Sequence, residues 1–185
     1  DRLAAFAAAG VILGGRLLHV AVATGEVGRD LVRETFSVST GFSVLGSLLG
    51  GIAATAWFCR RRGIDSLRVW DALAPGTAAL HATGRLGCFL AGCYYGSPAP
   101  GVPWAAAFTD PRSLVRPSLL GVPLHPTQLY EALGEASIIA FLLGWIRPRL
   151  DAGRLPQGAV FAGYLGLYGL LRCATEFFRG DHPAG

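Results

Sequence analysis

The chain has no lysine and no methionine, and only 15% of its 185 residues are charged. Its sixteen basic residues are therefore all arginine, and the formal net charge is +4. Without lysine there is no lysine-rich patch to suggest nucleic-acid binding, so no nucleic acid is expected as a partner. Guanidinium groups suit fixed contacts to phosphate better than a mobile ammonium does. Four cysteines, Cys59, Cys88, Cys93 and Cys173, sit in apolar runs and are too few for the disulfide framework of a small secreted domain. The apolar stretch at 3–23 lacks the basic flank and cleavage site of a signal peptide. With Asp1 in place of Met, the chain reads as one membrane domain, 1–185, truncated at both ends.

Apolar residues are abundant: they make up 52% of the chain, and its mean hydropathy is +0.45. An ordinary soluble domain is less apolar than this. Runs of about 20 apolar residues, the length that crosses a hydrocarbon core as a helix, lie near 3–23, 41–59, 71–94, 127–146 and 157–178. The expected fold is all-α, a polytopic transmembrane helix bundle with about five spans. Segments 24–40 and 95–126 carry more charge, Pro and Ser. Pro98, Pro100, Pro103, Pro111, Pro117 and Pro123 predict irregular backbone in the second.

Short arginine-rich loops stay on the cytoplasmic side. Arg60, Arg61, Arg62 and Arg68 lie between the second and third runs, and Arg147, Arg149 and Arg154 between the fourth and fifth. Segment 24–40 offsets Arg29 and Arg33 with Glu26, Asp30 and Glu34, so it reads as external, as does 95–126. The third run then ends outside in GRLGCFLAGCYYG (84–96), the fourth begins there with HPTQLYEALGE (125–135), and the fifth ends there with RCATEFFRGD (172–181).

A charge at membrane depth costs roughly 2.5 to 3.5 kcal/mol on insertion scales, so Arg85 calls for a partner. His81, Arg85 and Cys88 share one helical face, and Gly84, Gly87, Ala91, Gly92 and Gly96 leave room for another helix or a lipid headgroup. On the plainer reading, Arg85 snorkels to the interface and the glycines only pack helices. Arg172 and Glu176 pair at i, i+4, with Arg179 a turn further, either as a helix-end ion pair or as part of a phosphate site. His125, Gln128, Tyr130, Glu131 and Glu135 belong to the fourth run. There Thr127 is a candidate cap, and the two glutamates share a face that should turn inward to answer the arginines. The C-x4-C spacing of Cys88 and Cys93 is weak evidence for a metal, since on a helix the two point apart.

Taken in order, GGRLLHV (14–20), GFSVLGSLLGG (41–51), GRLGCFLAGCYYG, HPTQLYEAL (125–133) and YGLLRCATEFFRGD (168–181) resemble the bacterial prolipoprotein diacylglyceryl transferases. The resemblance covers nearly the whole chain. It implies seven spans, of which these residues look like the second to the sixth, in the inner membrane with the site toward the outer leaflet. The implied reaction moves the diacylglyceryl group of phosphatidylglycerol, a membrane lipid, to the lipobox cysteine thiol behind a preprolipoprotein signal peptide. Glycerol phosphate is released, and neither metal nor organic cofactor is needed. Arg85 matches the signature arginine that binds the lipid phosphate, Gly96 the signature's last glycine, and Arg172 and Glu176 a later arginine and glutamate.

The expected site therefore comprises Arg172, Glu176, His81 and His125 as catalytic residues, and Arg85, Cys88, Gly96, Gln128, Tyr130, Glu131 and Arg179 as substrate-binding residues. Departures from the family concern Cys88 and Cys93, where other members carry Asn and Glu, and Leu45-Gly46-Ser47, where members often have His or Tyr before Gly-Gly. That histidine is a proposed base, and the family's first-span tyrosine has no counterpart in these residues. His81 or His125 would then take the thiol proton. The alternative is a non-catalytic phospholipid-binding or assembly module that keeps the fold and the phosphate site.

Overall fold

Gly10 and Gly14 stand four apart on α1 (Arg2–Thr24), as do Gly46 and Gly50 on α2 (Val44–Arg62). Small residues at that spacing let two helix backbones touch. In the computed structural model, which describes residues 2–24 and 43–180, the four glycines interlock: a Cβ on Gly14 would run into the Gly46 carbonyl, and one on Gly50 into the Gly10 carbonyl. Ser43 caps α2 by accepting the Gly46 amide at 3.2 Å, and its own amide donates to the Gly15 carbonyl at 3.0 Å. Such a cap contributes about 1 kcal/mol. At the other end Gly63, with φ +67°, closes α2, and Arg60, Arg61 and Arg62 lie in its last turn, where the helix dipole favours cations. The two helices form one unit, Asp1–Ser66, with Leu45 exposed on the first turn of α2.

The second unit, Leu67–Gly185, contains α3 (Ser66–Ala91), α4 (Thr127–Phe141), α5 (Arg147–Asp151) and α6 (Ala159–Glu176). Its core brings Ala74 and Ala78 of α3 against Ile138, Leu142, Ile146, Leu150, Val160 and Tyr164. Burying each of the large side chains contributes about 1.5 to 3 kcal/mol. α4 runs into α5 through a π turn, Leu142–Ile146. Pro148 has no amide to reach back one α-turn, and the ladder widens so that the Arg147 amide bonds to the Leu142 carbonyl. Gly158, with φ +91°, starts α6 but has no side chain to cap it. Buried Asp71 of α3 does so instead, accepting the amides of Gly158 at 2.7 Å and Phe161 at 2.9 Å.

The described residues are mostly helical, as expected. Segment 95–126 is largely irregular, pinned by β1 (Ala106–Ala107) antiparallel to β2 (Pro123–Leu124), with Ala106 opposite Leu124, and by one 3-10 turn, Pro117–Leu119. It wraps a small core of Tyr95, Val115 and Leu124. By length and hydropathy, Arg2–Val22 and Thr127–Asp151 qualify as membrane-crossing segments among the described residues. Helices α2, α3 and α6 occupy the other three apolar runs. The expected external loop with Glu26, Arg29, Asp30, Arg33 and Glu34 lies outside the described residues.

Two local expectations are corrected. α3 stops at Ala91, because Gly92 turns into the left-handed region at φ +76°, so Cys93 is not on a helix with Cys88. Thr127 does not cap α4; its hydroxyl donates instead to the Tyr94 carbonyl at 2.8 Å, which ties the loop after α3 to the start of α4. Among the described residues a Cβ on Gly84 or Gly87 would meet nothing within 4 Å, so the surface beside both is open.

Candidate active site

Within the second unit, three helix ends are laced together by backbone. The Gly96 amide donates to the His125 carbonyl at 3.0 Å, the Ser97 amide to the Phe178 carbonyl at 2.8 Å, and the Gly180 amide to the Tyr95 carbonyl at 3.3 Å. The segment leaving α3 thereby lies between the entry of α4 and the exit of α6. Gly96 is required there: a Cβ would lie 2.5 Å from the His125 carbonyl oxygen and 2.7 Å from that of Phe178. Gln128, fully buried, donates to the Cys93 carbonyl at 2.6 Å and with Thr127 fixes the loop over α4.

Five charged side chains meet at this junction. Glu131 of α4, buried, sets one oxygen 2.5 Å from Arg85 Nε of α3 and gives the other to Arg172 of α6. Thr175 donates to that second oxygen at 3.3 Å. Arg172 also donates to Glu176 at 3.1 Å, which takes Arg179 Nη1 at 3.2 Å. Tyr94, the one described non-glycine residue with positive φ (+55°), lays its ring beside Arg85 and Arg179, with centroids 5.0 and 5.7 Å away. Both arginines on Glu131 are partly exposed.

One helical turn further from the loops lies a second polar layer. His81 of α3 faces α4 and α6: its Nδ1 is 3.3 Å from Glu135 and 2.8 Å from the Tyr164 hydroxyl, and the Tyr168 ring lies tilted against it with centroids 5.2 Å apart. The His81 side chain is 40% exposed, whereas that of Glu135 is 2% exposed. Neither Glu135 oxygen has a hydrogen-bond donor among the described residues, so at 3.3 Å the imidazole is a charge contact rather than a directed bond.

On another side, Trp104 Nε1 donates to the Tyr130 hydroxyl at 2.8 Å, and that hydroxyl lies 3.1 Å from His125 Nδ1. With Leu171, Ala174, Thr175 and Phe178 these residues line an apolar groove of about 420 Å³.

A sequence model of the family described as prolipoprotein diacylglyceryl transferase matches residues 1–184. The chain belongs to that family. Among its curated relatives, the phosphatidylglycerol–prolipoprotein diacylglyceryl transferase of Clostridium tetani is 35% identical over 95% of this chain and 66% of its own length. Those of Rhodospirillum rubrum and Azospirillum brasilense are 36% and 35% identical over 97% of this chain, and 62% and 64% of their own lengths. The chain thus spans just under two thirds of the curated relatives it matches.

Of the residues chosen from sequence, the structure gathers Arg85, Glu131, Arg172, Glu176 and Arg179 into one network. Gly96, Gln128 and His125 shape its floor through backbone contacts, and Tyr130 lines the groove beside it. Cys88 enters through its carbonyl, which takes the Cys93 amide at 3.0 Å. Glu135 answers His81 rather than an arginine. Tyr94, Thr175 and Tyr164 were not foreseen as site residues. For Tyr164 a signal was present: Tyr164, Tyr168, Arg172 and Glu176 recur every fourth residue and so line one face of α6.

Proposed function

We propose that this protein transfers the diacylglyceryl group of phosphatidylglycerol to the lipobox cysteine of a preprolipoprotein, releasing glycerol phosphate. The observation that carries the reading is Arg85 and Arg172, from two different helices, converging on a single carboxylate beside Arg179 and Glu176. Guanidiniums present paired donors to a phosphodiester anion and would also hold the charge that develops as glycerol phosphate leaves. Relatives at about 35% identity are named for these two substrates, phosphatidylglycerol and prolipoprotein.

The same reading places the protein as a multi-pass helix bundle in the bacterial inner membrane, with five of its helices crossing and the arginine cluster toward the outer leaflet. The arginine-rich loops support that orientation. No resident metal or organic cofactor is needed for displacement at carbon by sulfur.

Transfer of lipid from phosphatidylglycerol vesicles to a lipobox peptide by the full-length protein tests the proposal. Arg85→Ala should abolish turnover, and Arg85→Lys should lower it at least tenfold because an ammonium cannot make the bidentate contact. Near-normal rates in both variants reject phosphate binding by Arg85. Exposed Leu45, where family members often carry His or Tyr, favours one rival, a non-catalytic phospholipid-binding or assembly module. Lipid binding without turnover in the wild type would select it.

A further inference from the structure

The two polar layers are about 6 Å apart along each helix, since His81 and Arg85, Glu131 and Glu135, and Tyr168 and Arg172 are each separated by four residues. That spacing matches the proposed reaction. In a phosphatidylglycerol whose phosphate is held by the arginines, the carbon to be attacked lies one bond from a phosphate oxygen, toward the acyl chains. Sulfur must approach it from the side opposite the departing oxygen, at about 3 to 3.5 Å before reaction. The thiol is then deeper than the phosphate by nearly one helical turn, at the level of His81.

The two candidate imidazoles differ in their surroundings. Beside His125, Trp104 can only donate, so the Tyr130 oxygen accepts from it and offers its own proton to His125 Nδ1. The imidazole proton is then on Nε2, and the lone pair left on Nδ1 is already taken by the Tyr130 hydroxyl. Beside His81, the buried Glu135 carboxylate faces Nδ1. The carboxylate charge 3.3 Å away favours the tautomer protonated at Nδ1, whose hydrogen bond then goes to the Tyr164 oxygen at 2.8 Å, and that tautomer carries its lone pair on Nε2. Tyr168 lies against the same ring, with centroids 5.2 Å apart.

We propose that Glu135 is a positioning residue that selects the Nδ1-protonated tautomer of His81 and stabilises the imidazolium, so that His81, not His125, takes the thiol proton. The proposal rests on the transferase reading. The cysteine S–H proton passes to His81 Nε2 and the thiolate pair forms the C–S bond. The C–O bond breaks with its electron pair on the phosphate oxygen, and the imidazolium returns its proton to that phosphate or to water. The charged groups facing His81 are Glu135 from α4 and, with the phenols Tyr164 and Tyr168 of α6, Arg85 one turn along its own helix.

The test is steady-state transfer from phosphatidylglycerol vesicles to a lipobox peptide, across pH, in the full-length protein. A general base contributes about 100- to 10,000-fold, and a residue that orients one about 10- to 100-fold. His81→Ala should lower kcat by at least 100-fold, abolish the acidic limb of the rate profile and recover in part with added imidazole. Glu135→Gln should lower kcat 10- to 100-fold with KM for the lipid within twofold, Glu135→Asp should recover part of the loss, and His125→Ala should keep the acidic limb. Equal loss in Glu135→Asp and Glu135→Gln with raised KM indicates a structural role and overturns the assignment, as does kcat within threefold of wild type in His81→Ala. In both cases activity that still depends on Arg85 leaves the transferase reading standing. A wild type without turnover removes both.

Discussion

Glu131 has two carboxylate oxygens and gives one to each of two arginines from different helices. At the residue scale the proposed function has the lipid phosphate compete with this carboxylate for the same arginines. Removing one member of a buried ion pair costs about 3 to 5 kcal/mol, because the remaining charge is left uncompensated. Glu131→Gln is expected to destabilise the protein by about 3 kcal/mol, the lower end of that range, because Arg85 and Arg172 keep some solvent. Phosphatidylglycerol should then raise the melting temperature of the variant more than that of the wild type, since the phosphate replaces the lost carboxylate. Equal lipid-induced shifts in detergent unfolding curves would show that carboxylate and phosphate do not share these arginines. From sequence, Arg85 was legible as a charge too costly to stand alone. Its partner was not, because Glu131 and Glu135 share one face of the helix and only the depth of each neighbour separates them.

At the scale of elements, the close crossing of α1 and α2 depends on four glycines with no room for a single methyl group. Overpacking of this kind typically costs about 1 to 3 kcal/mol, and here the obstacle is backbone carbonyl rather than a side chain that could move aside. Gly14→Val should therefore separate the pair, read as faster hydrogen exchange at Gly46 and at Ser43, whose amide bonds to the Gly15 carbonyl. Protection unchanged at both amides would contradict the crossing. The family-like GGRLLHV and GFSVLGSLLGG pieces signalled that these stretches matter, whereas the packing reason appears only once the helices are side by side. Gly84 and Gly87 show the converse: the same residue type at helical spacing, with open space beside it.

For the whole molecule, the second unit separates two kinds of polar end along α3. Arg68 shares a polar cavity of about 370 Å³ with Asp71, Arg147, Asp151 and Gln157, and Arg85 lies seventeen residues on in the sequence. That is about 25 Å along a helix, close to the thickness of a hydrocarbon core. The proposed topology puts the first end in the cytoplasm. In inside-out and right-side-out vesicles, cysteines introduced as Arg61→Cys and Arg149→Cys should react with an impermeant thiol reagent from the cytoplasmic side, and Trp104→Cys from the opposite side. Labelling of Arg149→Cys and Trp104→Cys from one side would refute the orientation.

Helical class, the positions of the long apolar runs and the family follow from the chain's one-dimensional pattern. Hydropathy at a period set by the helix, and a motif order spread over nearly every segment, need no knowledge of what touches what. Which charges meet depends instead on how α3, α4 and α6 are rotated and how deeply their ends overlap. Those choices are set by Gly96 admitting the crossing backbones and by Asp71 fixing the start of α6. They send Arg85 and Arg172 to Glu131 and His81 to Glu135, because a buried charge is tolerated only where the packing supplies its partner.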